Sequence, residues 1–137
     1  MKHISREKTG KQVIGVLGEN VACNFLKRKG FSVVEKNYRK PWGEIDIIAK
    51  GSRILHFIEV KTVSRENLQS ISREMDAYRP EDNIHPWKLK RLSRTIQSYL
   101  LEKNTSEEGE WQFDVITVFL DQKKKQAKVN FIENVIL

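Results

Sequence analysis

Apolar residues recur at helical spacing in two stretches of the chain and at strand spacing in the rest. From about Ile14 to Lys29, Ile14, Val21, Ala22, Phe25 and Leu26 form one stripe at 100° per residue, and Gly30 follows as a stop. Gly15 and Gly18 lie on that inward side. A glycine inside a helix costs about 1 kcal/mol against alanine, so two of them point to a close approach. A second helix is predicted from Pro86 or Trp87 to Lys103, with Leu89, Leu92, Ile96, Tyr99 and Leu100 on its apolar face. Strands are predicted at Phe31 to Tyr38, at Trp111 to Leu120, at Ala127 to Ile132, and twice within Gly43 to Thr62. The order α-β-β-β-α-β-β predicts a mixed sheet flanked by helices, an α/β fold in the broad sense. Residues 1–12 are polar and basic and are expected to form a mobile arm. Residues 64–85 are polar and too long for an ordinary connection, so a mobile functional loop or a partly helical lid is expected. Arg39, Lys40 and Pro41 are read as a turn, Glu102 to Glu110 as an acidic loop, and Lys123 to Lys125 as a basic turn.

The hairpin GEIDIIAKGSRILHFIEVKT breaks the rule that charges avoid apolar strands. Its first strand carries Glu44 and Asp46, its second Glu59 and Lys61, and most of the rest is aliphatic. With a tight turn at Gly51-Ser52 and Lys50 opposite Arg53, Asp46 falls opposite Phe57 and Glu44 opposite Glu59. Side chains alternate along a strand, so Glu44, Asp46, Glu59 and Lys61 then share one face. Asp46 and Glu59 become diagonal neighbours, roughly 7–8 Å apart at Cα. Ile45, Ile47, Ala49, Ile54, Ile58 and Val60 occupy the other face with His56. Both faces are apolar away from the charged end, which predicts a central sheet covered on both sides.

Composition narrows the classes. The chain has 137 residues, 39% hydrophobic and 31% charged, enough for one soluble domain with one core. No apolar run spans a bilayer and residues 1–12 lack a signal-peptide core, so no membrane association is expected. A single cysteine, Cys23, excludes an internal disulfide and a multi-cysteine zinc site, and it fits a reducing cytoplasm. The formal charge of +7 suits a polyanionic partner such as nucleic acid, although a solvated basic surface gives the same number. Arg39, Lys88, Lys90, Arg91, Arg94 and the Lys123 to Lys125 turn are the candidate phosphate contacts. Such contacts position a nucleic acid without reading its sequence.

Crowded carboxylates must be paired or must coordinate a metal. Hard cations such as Mg²⁺ take oxygen ligands, commonly one or two carboxylates completed by water and phosphate. Asp46 and Glu59 can supply the carboxylates and the Val60 backbone carbonyl a third ligand. Lys61 can orient a water and stabilise charge on a phosphoryl transition state. Glu44 or Glu19 can hold a second metal or a metal-bound water. Helix geometry alone favours a simpler role for Glu19, as an acid near the helix N-terminus attracted by the dipole.

GEIDIIA followed by FIEVKT resembles the PD-(D/E)xK nuclease signature in its archaeal-type Holliday junction resolvase form, and most closely the YraN family. Gly15, Gly18, Glu19 and Ala22 match that family's helix pattern. Asn37, Tyr38 and Arg39 match its N-Y-R, Lys88 to Leu92 its basic helix, and Phe113, Asp114 and Val115 its later strand. The resemblance implies a three-layer α/β/α restriction-endonuclease-like fold with a central mixed sheet of about five strands. It also implies catalytic roles for Glu19, Asp46, Glu59 and Lys61, a Mg²⁺ or Mn²⁺ cofactor, and a branched or structured nucleic-acid substrate, DNA before RNA. The chain departs from the family in having Val63 where an arginine is usual and in a longer segment after it. Asp114 is outside the nuclease signature and is expected to make structural hydrogen bonds.

Three functions follow. The first is a metal-dependent endonuclease, for which paired cuts would call for a homodimer. The second is a nucleic-acid-binding module with a silent nuclease site. The third, a protein–protein adaptor using the 64–85 segment and Trp87, has only segment length behind it.

Overall fold

The structure, a computed structural model, describes residues 10–77, 85–103 and 109–137. Five strands lie side by side in chain order: β1 (Ser32–Lys40), β2 (Gly43–Gly51), β3 (Ile54–Ser64), β4 (Glu110–Asp121) and β5 (Gln126–Ile132). Only β3 and β4 are parallel; the other neighbours are antiparallel. A parallel pair needs a long crossover, and it contains the helix α3 (Pro86–Glu102). The other long helix, α1 (Gly10–Arg28), precedes the sheet, and the short α2 (Ser72–Ala77) follows β3.

The predicted burial of both sheet faces is what forms. Ile47 pairs with Ile58, and both pack with Ala22, Cys23 and Leu26 of α1. The next pair along, Ile48 and Phe57, packs with Leu92, Ile96, Tyr99 and Leu100 of α3. The layers are therefore helix, sheet, helix, a three-layer α/β/α arrangement of the restriction-endonuclease-like kind. Ile48 and Phe57 are fully buried, so each contributes about 2 kcal/mol of apolar burial.

Two glycines set how closely the layers approach. A Cβ on Gly18 would lie 1.8 Å from Thr62 Oγ1, so only glycine lets α1 seat on β3. A Cβ on Gly43 would lie 2.3 Å from Thr95 Oγ1 and 3.2 Å from the Arg91 carbonyl, so α3 rests on the start of β2 for the same reason. Gly15 is different: nothing lies within 4 Å of where its Cβ would be. The close approach expected for both helix glycines holds for Gly18 alone.

Several boundaries move. α1 begins at Gly10, so residues 10–12 of the expected arm are helical, while 1–9 lie outside the described residues. β1 continues through Arg39 and Lys40, which pair with Glu44 and Gly43, so the turn contracts to Pro41 and Trp42. In the 64–85 segment, a 3-10 turn at Leu68–Ser70, capped by Asn67, leads into α2. Leu68 and Ile71 bury against Phe119 there. The described part of that segment is thus partly helical; residues 78–84, like 104–108 of the acidic loop, lie outside the described residues.

The central hairpin is correctly placed but differently registered. Gly51 pairs with Ile54 and Lys50 with Leu55, so Ser52 and Arg53 form the turn, with Ser52 in the left-handed region at φ 55°. Asp46 is therefore not opposite Phe57, whose partner is Ile48. Continued one step past Ile47–Ile58, the observed register sets Asp46 level with Glu59. The face assignments survive because a two-residue slip keeps every side chain on its side. One exception lies within β2. Ile45 joins the α3-side core with Ile48, three residues on, whereas Ile47 and Ala49 join the α1-side core. Strict alternation fails at Asp46, and Ile45 is not on the face expected for it.

Candidate active site

The charged end of the hairpin meets one residue from α1 and one from α3. Asp46, half-buried at the break in alternation, accepts a hydrogen bond from the Val60 backbone N–H at 2.8 Å. The carboxylates of Glu59, Glu19 and Glu44 all lie near enough to act on its charge. Burial pushes the Asp46 carboxyl up to about 7; the Val60 bond opposes this and the three glutamates add to it. Burial also lifts Glu19 above its ordinary value; Lys36 opposes that rise, Glu44 adds to it and Arg39 opposes it. Four acids from α1, β2 and β3 thus converge with too little positive charge among them.

What positive charge there is comes from the edges. Arg39 pairs with Glu44 at 3.4 Å, on the exposed side. Lys88, on the first turn of α3, pairs with Glu59 Oε1 at 2.7 Å. The Glu59 side chain is only 13% exposed, and its second oxygen, Oε2, is buried without a hydrogen-bond partner among the described residues. Asn37 adds neutral donors. With its amide nitrogen turned to the acids it gives hydrogen bonds to Glu19 at 2.9 Å and Glu44 at 3.3 Å. Its backbone is left-handed, φ 53°, a conformation asparagine tolerates better than most residues.

Asp46 lines two cavities. One, of about 300 Å³, opens toward α3 and is bounded by Gly43, Glu44, Glu59, Trp87, Lys88 and Arg91. The other, of about 450 Å³, opens along α1 past Lys11, Gly15, Glu19 and Val60. The cluster fits a divalent cation on its own chemistry: hard oxygen donors, an acid whose ionisation burial and neighbouring acids disfavour, and a buried carboxylate oxygen with no partner among the described residues. Asp46 and Glu59 would be the primary donors, with Glu19 and Glu44 near enough to act on Asp46.

Most of the expected site residues come together. Glu19, Asp46 and Glu59 do, and Glu44 joins them through Arg39 and Asn37. Lys61 is half-buried on β3, on the side of Glu59 by strand alternation, but it lines neither cavity. Lys90, Arg91 and Arg94 lie on α3 beside the α3-side mouth. Two contributors were not foreseen as site residues in these roles. Lys88 had been read as a phosphate contact and is instead the ion partner of Glu59; Asn37 had been a motif letter without a task. Asp114 behaves as expected: fully buried, it accepts from His56 Nδ1 at 2.5 Å, Gln112 Nε2 at 2.8 Å and the Asn134 N–H at 2.8 Å.

Fold and site together define a restriction-endonuclease-like protein with its acids gathered at the open end of a central hairpin. The profile of the family described as Uncharacterised protein family UPF0102 matches residues 18–118. A UPF0102 protein of Campylobacter jejuni is 36% identical over 121 residues, 88% of this chain and 91% of its own length. A Campylobacter hominis relative is 38% identical over 123 residues, 90% and 93% of the two chains, and one from Campylobacter fetus is 37% identical over the same shares. The chain belongs to the UPF0102 family, the YraN family of the sequence resemblance.

Proposed function

We propose that this protein is a metal-dependent endonuclease hydrolysing phosphodiester bonds in branched or structured nucleic acid, DNA in preference to RNA. The observation that carries the reading is the convergence of four acids around Asp46, of which only Glu44 and Glu59 are in ion pairs among the described residues. Mg²⁺ or Mn²⁺, when bound, lowers the pKa of a water and polarises a phosphate oxygen. Asp46, Glu59 and the Val60 carbonyl would hold the ion, and Glu19 or Glu44 would hold a second metal or a metal-bound water. Lys61 orients the attacking water and stabilises negative charge as that water bonds to phosphorus and one P–O ester bond breaks. Arg39, Lys90, Arg91 and Arg94 hold the flanking phosphates. No helix among the described residues is long and apolar enough to cross a membrane, and with one free cysteine the protein is read as cytoplasmic. Paired cuts across a branch would be made by a homodimer.

One observation favours a second reading, a nucleic-acid-binding module with a silent site: Lys88 already neutralises Glu59. The same experiment separates the two. Branched and linear DNA and RNA are incubated with the protein and Mg²⁺ or Mn²⁺. The nuclease cuts at least one of them, and Asp46→Ala and Lys61→Ala abolish the cutting. Binding with no cleavage under any condition makes the site silent.

A further inference from the structure

The α3-side cavity continues into a groove lined by Pro41, Trp42, Lys90, Arg91 and Arg94, with Arg91 common to both. An arginine–tryptophan pair lies in each, Trp87 lining the cavity and Trp42 the groove. The Arg91 guanidinium sits 4.9 Å from the Trp87 ring centroid, and that of Arg94 sits 4.3 Å from Trp42. Trp42 is further fixed by its indole N–H, which donates to Ser98 Oγ at 3.1 Å. Trp87 is 53% exposed, although it belongs to no hydrophobic core. Lys90, Arg91 and Arg94 form no ion pair among the described residues, whereas Arg39, Lys40, Arg65 and Lys88 each have an acidic partner.

We infer that the groove and the adjoining α3-side cavity together bind unpaired nucleotides of a DNA strand leading to the acidic cluster, with Trp87 and Trp42 stacking on bases and Lys90, Arg91 and Arg94 meeting phosphates. Duplex backbone needs only the cations. An indole face held flat by an arginine matters to a ligand with π-faces of its own, and paired bases in a duplex hide theirs. From Trp87 to Arg94 the helix advances about 10 Å, room for a short run of nucleotides. The inference rests on the nuclease reading above and sharpens its substrate: the cut strand is single-stranded on the α3 side, as in a flap, gap or opened junction arm. Trp87 and Trp42 are positioning residues for that strand.

The test is binding without cleavage. Full-length protein in EDTA is titrated into fluorescein-labelled single-stranded DNA, blunt duplex of the same sequence, and that duplex carrying a three-nucleotide flap. The strand and the flap are expected to bind roughly tenfold or more tightly than the duplex. Trp87→Ala is expected to remove about a tenfold factor for strand and flap and none for duplex, the scale of one stacked base. Trp87→Phe should restore most of it, and Trp42→Phe, which spares the fold, should cost less than Trp87→Ala. Equal affinities for strand and duplex, with Trp87→Ala neutral on both, overturn the groove while leaving the nuclease reading in place. No affinity for any of the three DNAs overturns both.

Discussion

At the scale of single residues, Gly15 and Gly18 of α1 and the aspartate of the hairpin make opposite demands. Gly18 is fixed by contact: its missing Cβ is the space Thr62 occupies. Gly18→Ala is expected to lower the thermal midpoint clearly, by a stability loss of roughly 2 kcal/mol or more, because Thr62 is β-branched and cannot swing away. Gly15→Ala meets open space and should instead stabilise by up to about 1 kcal/mol from helix propensity. Calorimetry of the two variants checks the pair; equal effects would contradict the packing. Asp46 sets a pH dependence. Its carboxyl sits near 7 when folded and metal-free, above its ordinary 3.8, so the folded state holds that proton more tightly than the unfolded chain. The stability tied to it is complete below the ordinary value and is lost as pH rises through about 7, on the order of 4 kcal/mol at full extent. Metal-free protein should therefore melt lower at about pH 8 than at about pH 5. Asp46→Asn should flatten that slope and melt higher than the native protein at the alkaline end, and an unchanged slope would refute the assignment. The closeness of Asp46 and Glu59 was legible from the strand pattern, though alternation itself breaks at Asp46. Asn37 was not, since nothing in a single sequence marks a left-handed asparagine in the middle of a strand.

Elements explain both what the sequence conveyed and what it concealed. Two amphipathic helices and an apolar sheet sufficed to foresee three layers, because each face must be covered. The hairpin register was misjudged by two residues because Gly51-Ser52 looks like the better turn, while the chain turns one residue later, at Ser52-Arg53. That slip cost nothing at the site. The break in alternation at Asp46 was invisible, since GEIDIIA alternates charged and apolar residues regularly as far as Ile47. α3 was harder still. Its first turn carries Trp87, Lys88 and Leu89 between the apolar and charged faces, so whether Lys88 points at solvent or at the sheet depends on how α3 lies on Gly43. The contact with Glu59 gives Lys88 a measurable task in the metal-free protein. Lys88→Ala leaves a largely buried carboxylate without its partner; because Lys88 itself is 43% exposed, the loss is expected near 1 kcal/mol. Added Mn²⁺ should close that gap by supplying the missing charge, read as a larger midpoint rise in Lys88→Ala than in the native protein. A gap that persists at saturating metal would mean that Glu59 is not a ligand.

For the whole molecule, the net charge of +7 is less informative than where the unpaired part of it lies. Arg39, Lys40, Arg65 and Lys88 are bound to acids, and the Lys123 to Lys125 turn is exposed at the exit of β4. Lys90, Arg91 and Arg94 lie together beside the α3-side mouth of the acidic cluster. A polyanion approaching the protein is drawn to that side while the acids at its end repel it, an arrangement that favours holding the strand at a distance until a cation intervenes. Each phosphate neutralised releases counterions, so the logarithm of affinity for a single strand falls with the logarithm of salt by about 0.7 units of slope per contact. Removing all three side chains, Lys90→Ala with Arg91→Ala and Arg94→Ala, is expected to flatten the slope by about two. Replacing the three lysines of the 123–125 turn should change it by less than one if the strand runs along α3. Titrations of single-stranded DNA over a range of potassium chloride concentrations, in EDTA, measure both. Should the turn variant lose the larger slope, the strand would track the β4–β5 end of the sheet, and the path from groove to acids would have to be abandoned.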